Sequence, residues 1–281
     1  MTGIVVLFDF DLTIIDGDSD KWVVVEMGLT QSFQQLRSIL PWNTLMDRML
    51  HELHSQGRTI EEIEKCLKRV PMNPRIAAAI KAAHDFGCDL KVVSDANNFY
   101  IETILKHHGL LGFFSEIYTN PTSVDEVGRL RIFPYRDFTL APHGCSLCSY
   151  NMCKFLGMPC IFKVCGDVGL VIEQIRAAAS ENGKKRFIYV GDGKGDFCPS
   201  LKLGHGDYVM PRKNYPLWNL ICGDPMHIKA QVLEWSDGEE LEKVLLHLID
   251  TISIEENISN GTSTQSKSSQ SQVSENAGTH P

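Results

Sequence analysis

Short apolar runs alternate with longer amphipathic stretches along most of the chain. IVVLF at residues 4–8, DLKVV at 89–93 and RFIYV at 186–190 are too short for independent helices and predict buried strands. FSEIYTN and DYVMP (207–211) predict two further short strands, and EVGRLRIF a hairpin. Between them, apolar residues recur at three- and four-residue intervals in TLMDRMLHELH, IEEIEKCLKRV, RIAAAIKAAHDFG, NNFYIETILKHHG and GLVIEQIRAAASENG, the period of a helix with one buried face. Thr59 with Glu62 three residues later is a capping-box signature, and Gly87 marks a helix stop. Buried strands alternating with helices predict an α/β fold, a Rossmann-like parallel sheet with helices on both faces. The helical block between the first and second strands predicts a small inserted cap.

In such a sheet, ligands bind beyond the carboxyl ends of the strands. Three polar segments fall there: Asp9-Phe10-Asp11-Leu12-Thr13, Ser94-Asp95, and Gly191-Asp192-Gly193-Lys194-Gly195-Asp196. The first opens a run in which Asp9, Asp11, Asp16, Asp18 and Asp20 crowd into DFDLTIIDGDSD. Like charges so close to a buried strand end need water, a metal or a cationic ligand to offset their repulsion. Residues two apart in extended backbone face one way, so Asp9 and Asp11 share a focus that a hard, oxygen-seeking cation such as Mg2+ suits. One carboxylate can then attack phosphorus while the other handles the proton. Ser94 offers a hydroxyl to a phosphate oxygen, and Asp192 and Asp196 can complete the metal shell.

Composition narrows the class without deciding it. The chain has 281 residues, 43% of them apolar, and a net charge of −8, which argues against non-specific nucleic-acid binding. No apolar run reaches membrane-spanning length, and the start of the chain lacks signal-peptide character. Nine irregularly spaced cysteines fit a reducing compartment, and cytoplasmic location is the expectation. Cys145, Cys148 and Cys153, with His143 ahead, have partial zinc spacing but no second Cys-x-x-Cys, and read as a thiol-rich loop. From Ile254 the chain turns polar and Ser/Asn/Gln-rich, which predicts a disordered tail over 254–281.

DFDLT, VVSD, Lys154 in NMCK and GDGKGD follow, in order, the four motifs of the haloacid dehalogenase superfamily of phosphatases. DFDLTIIDGDSD, KVVSDANNFYIE and YVGDGKGDFCPSLKL further resemble its phosphoethanolamine/phosphocholine phosphatase branch, whose plant members include inorganic pyrophosphatases and thiamine phosphate phosphatase-like proteins. The resemblance implies a core over 1–16 and 86–253 and a cap over 17–85. It assigns Asp9 as nucleophile and metal ligand, and Asp11 as general acid/base with its carbonyl on Mg2+. It further implies that Lys154 neutralises the phosphate, that Ser94 binds it, and that Asp192 and Asp196 serve the metal. Asp20 and Asp95 match substrate-contacting positions, and the partner implied is a small phosphorylated metabolite.

Two features bear on the substrate. Asp20 with Trp22 and Trp42 suits an ammonium group, although both rings also fit the core of a helical cap. Arg212-Lys213 could instead serve pyrophosphate, or be a solvated turn. One segment departs from the family: FLGMPCIFKVCGDV, residues 155–168, intervenes between NMCK and the helix that follows. Its glycines and proline disfavour one continuous helix. Lying beside Lys154, it leaves open a catalytically impaired, phospholigand-binding relative, with Lys163 as a weaker substitute for the lysine.

Overall fold

A computed structural model of the chain describes residues 2–135, 164–181 and 185–270. Among the described residues eight strands form: β1 (Ile4–Phe8), β2 (Asp89–Asn97), β3 (Glu116–Asn120), β4 (Thr122–Val124), β5 (Leu130–Ile132), β6 (Arg186–Gly191), β7 (Tyr208–Pro211) and β8 (Gln231–Val232). Six make one parallel sheet in the order β3-β2-β1-β6-β7-β8, while β4 and β5 pair antiparallel as a separate hairpin. Strand β1 lies in the interior of the sheet, with Val6 beside Leu90 on one edge and Ile188 on the other.

Every residue of β1 is fully buried, which explains its unbroken apolar run. Ile4, Val6 and Phe8 join the core on one face and Val5 and Leu7 the core on the other, as the two-residue period of a strand requires. Each such side chain contributes roughly 1.5–3 kcal/mol by leaving water.

Helices α1 (Ser19–Glu26), α2 (Thr30–Leu36), α3 (Trp42–Ser55) and α4 (Ile60–Leu67) form the block inserted after β1. Thr59 caps α4 with the reciprocal bonds of a capping box: Glu62 N–H donates to Thr59 Oγ1 at 3.4 Å and Thr59 N–H to Glu62 Oε2 at 3.0 Å. The β4–β5 hairpin joins this block, because Arg131 binds Asp47 of α3 through two hydrogen bonds of 2.8 and 3.0 Å. Helix α5 (Pro74–Asp85) behaves differently. It falls inside the predicted cap span 17–85 but packs on β2 and on the last helix, covering the sheet. Its buried Ile76, Ala79, Ile80 and Ala83 form one stripe, and that stripe draws it to the sheet.

The remaining α-helices among the described residues are α6 (Asn98–His107), α7 (Val164–Glu181), α8 (Phe197–Leu201), α9 (Pro216–Gly223) and α10 (Gly238–Gln270). Two of these helices run into the insert and the tail singled out in the sequence. Helix α7 begins at Val164, so the last five residues of the 155–168 insert already belong to it; residues 155–163 lie outside the described residues. Helix α10 continues to Gln270, through most of the stretch predicted to be disordered from Ile254. Among the described side chains of the helix, Ile252 is the last buried one, and Ile254 and Ile258 are 52% and 64% exposed. Glu255 still meets Arg186 at 3.4 Å, one tertiary contact past that point.

Candidate active site

The carboxyl ends of β1, β2 and β6 open into one cavity of about 270 Å³. Asp9 and Asp11 enter from β1, Ser94 and Asp95 from β2, and Asp192 and Asp196 from β6, with Asp18, Asp20 and Trp42 closing it from the helical block. Seven aspartates therefore line this cavity, against a single lysine, Lys194, among the described residues.

Local chain geometry explains how each group arrives. Asp9 N–H donates to Val190 O at 2.9 Å, extending the sheet register one residue beyond β1. The chain then turns sharply, and Leu12 takes a left-handed φ of +57°. Strand β2 runs further than its apolar core predicts, but its pairing with β3 is irregular between Val93 and Asn97. That irregularity turns Ser94 and Asp95 toward the cavity. Asn120 supports the bulge, its amide donating to Asp95 O at 2.6 Å and Ala96 O at 2.8 Å. At the end of β6, Gly191 is needed because a Cβ there would lie 2.5 Å from Asp196 Oδ2.

Carboxylate oxygens of Asp9, Asp192 and Asp196 lie within 4.8 Å of one another, and all three residues are buried. Burial raises the Asp9 carboxyl well above its usual range, and Asp196 and Asp192 push it further. Asp192 is pushed up to about 7 by burial, with Arg212 acting in the opposite direction. Asp196 is pushed up to about 8 by burial and by Asp192. Three carboxyls so close hold negative charge poorly alone, and an oxygen-only donor set suits a hard divalent cation. Asp196 is the most constrained of the three: it accepts from Asp192 N–H, Gly193 N–H and Tyr189 OH at 2.9, 2.7 and 2.6 Å.

The carboxylate of Asp11 stands apart from this trio and accepts from Ser19 N–H at 2.9 Å, at the start of α1. Burial raises it well above the ordinary value, and Asp18 and Asp20 add to the effect. Asp20 is pushed up to about 8 by burial and Asp18, despite accepting from Trp42 Nε1 at 2.6 Å. Its other oxygen is buried and has no hydrogen-bond partner. Asp95 opens onto the cavity, yet the protein around it desolvates it enough to raise its carboxyl, with Asp18 adding to the effect. Ser94 is buried and its Oγ accepts from Ala96 N–H at 3.3 Å, leaving its own proton to donate.

The two tryptophans separate. Trp42 lines the cavity, whereas Trp22 donates to Cys66 O at 3.1 Å within the helical block. Neither basic residue considered for pyrophosphate lines the cavity: Lys213 pairs with Glu234 at 2.7 Å, and Arg212 donates through Nη1 to Leu12 O at 2.5 Å. Lys154, with Cys145, Cys148 and Cys153, lies outside the described residues.

A family model described as Putative Phosphatase matches residues 4–249. The chain belongs to this phosphatase family. It is 57% identical over 257 residues to a thiamine phosphate phosphatase-like protein of Arabidopsis thaliana, covering 91% of this chain and 99% of the relative. It is 55% identical to inorganic pyrophosphatase 1 of the same plant, over 88% of this chain and 80% of the relative. The human phosphoethanolamine/phosphocholine phosphatase is 31% identical, with 86% of each chain covered. Among solved structures, a substrate-bound phosphoserine phosphatase superposes with a TM-score of 0.55 at 18% identity, over 85% of this chain and 97% of that one. The chain is thus a phosphatase hydrolase, and its Rossmann-like parallel sheet has the fold of solved haloacid dehalogenase-type hydrolases such as one from Salmonella enterica, at a TM-score of 0.54 and 14% identity over 85% of this chain and 69% of that one.

Proposed function

We propose that this phosphatase is Mg2+-dependent and hydrolyses a small phosphate monoester whose alcohol carries a positive charge, of the phosphocholine or phosphoethanolamine type. The observation that carries this reading is the charge of the cavity: seven aspartates against one lysine among the described residues, with one buried oxygen of Asp20 lacking a partner. An acid beside the ring of Trp42 suits an ammonium group. A thiazolium-bearing phosphate ester satisfies the same requirement, and the 57% identical relative carries thiamine phosphate in its name.

In this reading Asp9, Asp192 and the Asp11 carbonyl hold Mg2+, and Asp196 orients the site through its bonds to the 192 and 193 amides. Bound there, Mg2+ supplies the positive charge that lets an anionic carboxylate meet an anionic phosphate. Ser94 donates its hydroxyl proton to a phosphate oxygen, and Lys154 carries the further neutralising charge that the family resemblance assigns to it. An oxygen of Asp9 forms a bond to phosphorus as the ester P–O bond breaks, and Asp11 gives its proton to the departing alkoxide. The raised carboxyl of Asp11 favours that starting state. Asp11 then takes a proton from water, the resulting hydroxide attacks phosphorus, and the Asp9–phosphorus bond breaks to release inorganic phosphate. Asp20 and Asp95 face the alcohol. A reducing, cytoplasmic setting is supported by the thiols of Cys66, Cys88 and Cys222, which form no disulfide.

A second reading, inorganic pyrophosphatase, is favoured by the 55% identical relative of that name. Its leaving group is anionic, which the acidic cavity opposes. A kcat/KM panel over phosphocholine, phosphoethanolamine, thiamine monophosphate and pyrophosphate separates these substrates. Phosphatase activity surviving Asp9→Asn in purified protein would remove the assigned nucleophile. Wild-type protein inert with Mg2+ but activated by deletion of residues 155–168 would support the impaired-relative reading instead.

A further inference from the structure

Leu12 holds an unusual backbone conformation for a branched residue. Its φ of +57° crowds Cβ against carbonyl oxygen, a strained arrangement for any residue but glycine. Two hydrogen bonds hold it there: its N–H donates to Gly17 O at 2.9 Å, and its carbonyl accepts from Arg212 Nη1 at 2.5 Å. The Leu12 nitrogen belongs to the peptide whose carbonyl is that of Asp11. Fixing Leu12 on both sides therefore fixes the peptide plane that follows Asp11.

Arg212 is itself held from several directions. It directly follows β7, and its N–H donates to Gly191 O at 2.9 Å, next to Asp192. Its guanidinium lies over the rings of Tyr215 and Trp235, 4.5 and 5.0 Å from their centroids. Trp235 is fully buried and anchored by its own bond to Met210 O at 3.0 Å. The stacked fork is thereby aimed at Leu12, even though Arg212 Nε is left buried without a partner.

We propose that Arg212 is a positioning residue of the phosphatase site: by clamping the left-handed Leu12 it holds the Asp9–Asp11 turn in the geometry that binds Mg2+ and meets phosphate. The inference rests on the Mg2+-dependent reading above. A role through charge alone predicts the opposite sign. A cation near Asp192 repels a second cation, so deleting its charge would tighten metal binding, whereas losing a clamp weakens it.

The test uses the full chain with Arg212→Gln, Arg212→Lys, Leu12→Gly and the Leu12→Gly/Arg212→Gln double variant. Mg2+ affinity is read by calorimetry, and kcat and KM with an aryl phosphate. Both Arg212 variants are expected to weaken Mg2+ binding about 10-fold and to lower kcat about 10- to 100-fold, the scale of a misplacement of about 1 Å, with KM moving less. Lysine keeps the charge but not the planar fork, so it should not rescue. Glycine adopts positive φ without a clamp, so Arg212→Gln should cost less in the Leu12→Gly background. Unchanged or tighter Mg2+ binding in Arg212→Gln, wild-type behaviour of Arg212→Lys, or additivity of the double variant would each overturn the inference. Should Arg212→Gln fail to fold, Arg212→Lys decides alone. Wild-type protein that binds Mg2+ but cleaves no phosphate ester would sink the phosphatase mechanism while leaving the clamp to be judged by calorimetry. Wild-type protein that binds no Mg2+ would sink both.

Discussion

Trp42 Nε1 donates to Asp20 Oδ2 at 2.6 Å, joining α3 of the helical block to the first turn of α1 across the mouth of the cavity. Asp20 gains one firm donor from this bond, and its second oxygen remains unpaired. Trp42→Phe keeps an aromatic wall but deletes the donor. KM for phosphocholine or phosphoethanolamine is expected to rise about 10-fold, the effect of losing roughly 1.4 kcal/mol of binding, while KM for an uncharged aryl phosphate stays within about threefold. Steady-state kinetics on the two substrate classes check this. An equal change for both would mean that Asp20 does not read charge.

The carboxyl of Asp20, held up to about 8, has a signature in stability as well. In an unfolded chain the same group titrates near 3.9, so the folded state binds more protons between those values. Its contribution is fully present below about pH 4 and is lost as pH rises through about 8. Metal-free protein should melt at progressively lower temperature from pH 5 to pH 9. Asp20→Asn should flatten that slope and melt above wild type at pH 9. Melting curves in EDTA across this range provide the measurement, and a slope unchanged by the substitution would contradict it.

Asn120 connects the helical block to the bulge of β2. Its Oδ1 accepts from Asn43 Nδ2 at 2.9 Å and Tyr135 N–H at 3.0 Å, while its amide holds the carbonyls of Asp95 and Ala96. Asn120→Ala strands several buried partners at once and is expected to cost about 2–4 kcal/mol. Asn43→Ala removes one side of one bond and should cost about 1–2 kcal/mol. Denaturant unfolding measures both, and a cost for Asn43→Ala equal to that for Asn120→Ala would argue against a hub.

Gly191→Ala tests the fixed seat of Asp196. The new methyl would sit 2.5 Å from Asp196 Oδ2 and displace the oxygen that binds the amides of Asp192 and Gly193. A loss of about 2–3 kcal/mol in stability is expected, the usual range for a broken buried network. Mg2+ affinity should fall with it. Retention of wild-type affinity by titration calorimetry would show that the cluster tolerates the shift.

Strands β1, β2 and β6 were legible because each holds a short apolar run, and β1 carries its two-faced burial openly as IVVLF, whereas the two-residue β8 offers no such run. The acids at the ends of β1, β2 and β6 were legible for the same reason: a strand end locates its neighbours, and the strand order brings them together. Contacts fixed by side-chain direction were not. Nothing local distinguishes Trp22, which turns to Cys66, from Trp42, which reaches Asp20. Arg212-Lys213 looked like a basic pair, yet its members diverge because one stacks on Trp235 and the other meets Glu234. The left-handed Leu12 gave no signal, since branched residues are rare there and no glycine marks the turn. Helix α5 was grouped with its sequence neighbours, although its apolar stripe belongs to the sheet.

Strand β1 also sets a schedule for folding. It is synthesised before both of its neighbours in the sheet, which come from residues 89–97 and 186–191. Until the second of these has been made, one edge of an entirely apolar strand stays open to other chains. Contacts this distant in sequence slow the search for the native pairing. The same interior position that gathers Asp9, Ser94 and Asp192 at one rim therefore leaves IVVLF open to mispairing during biogenesis. Aggregation of truncated chains ending before β6 would be its visible trace.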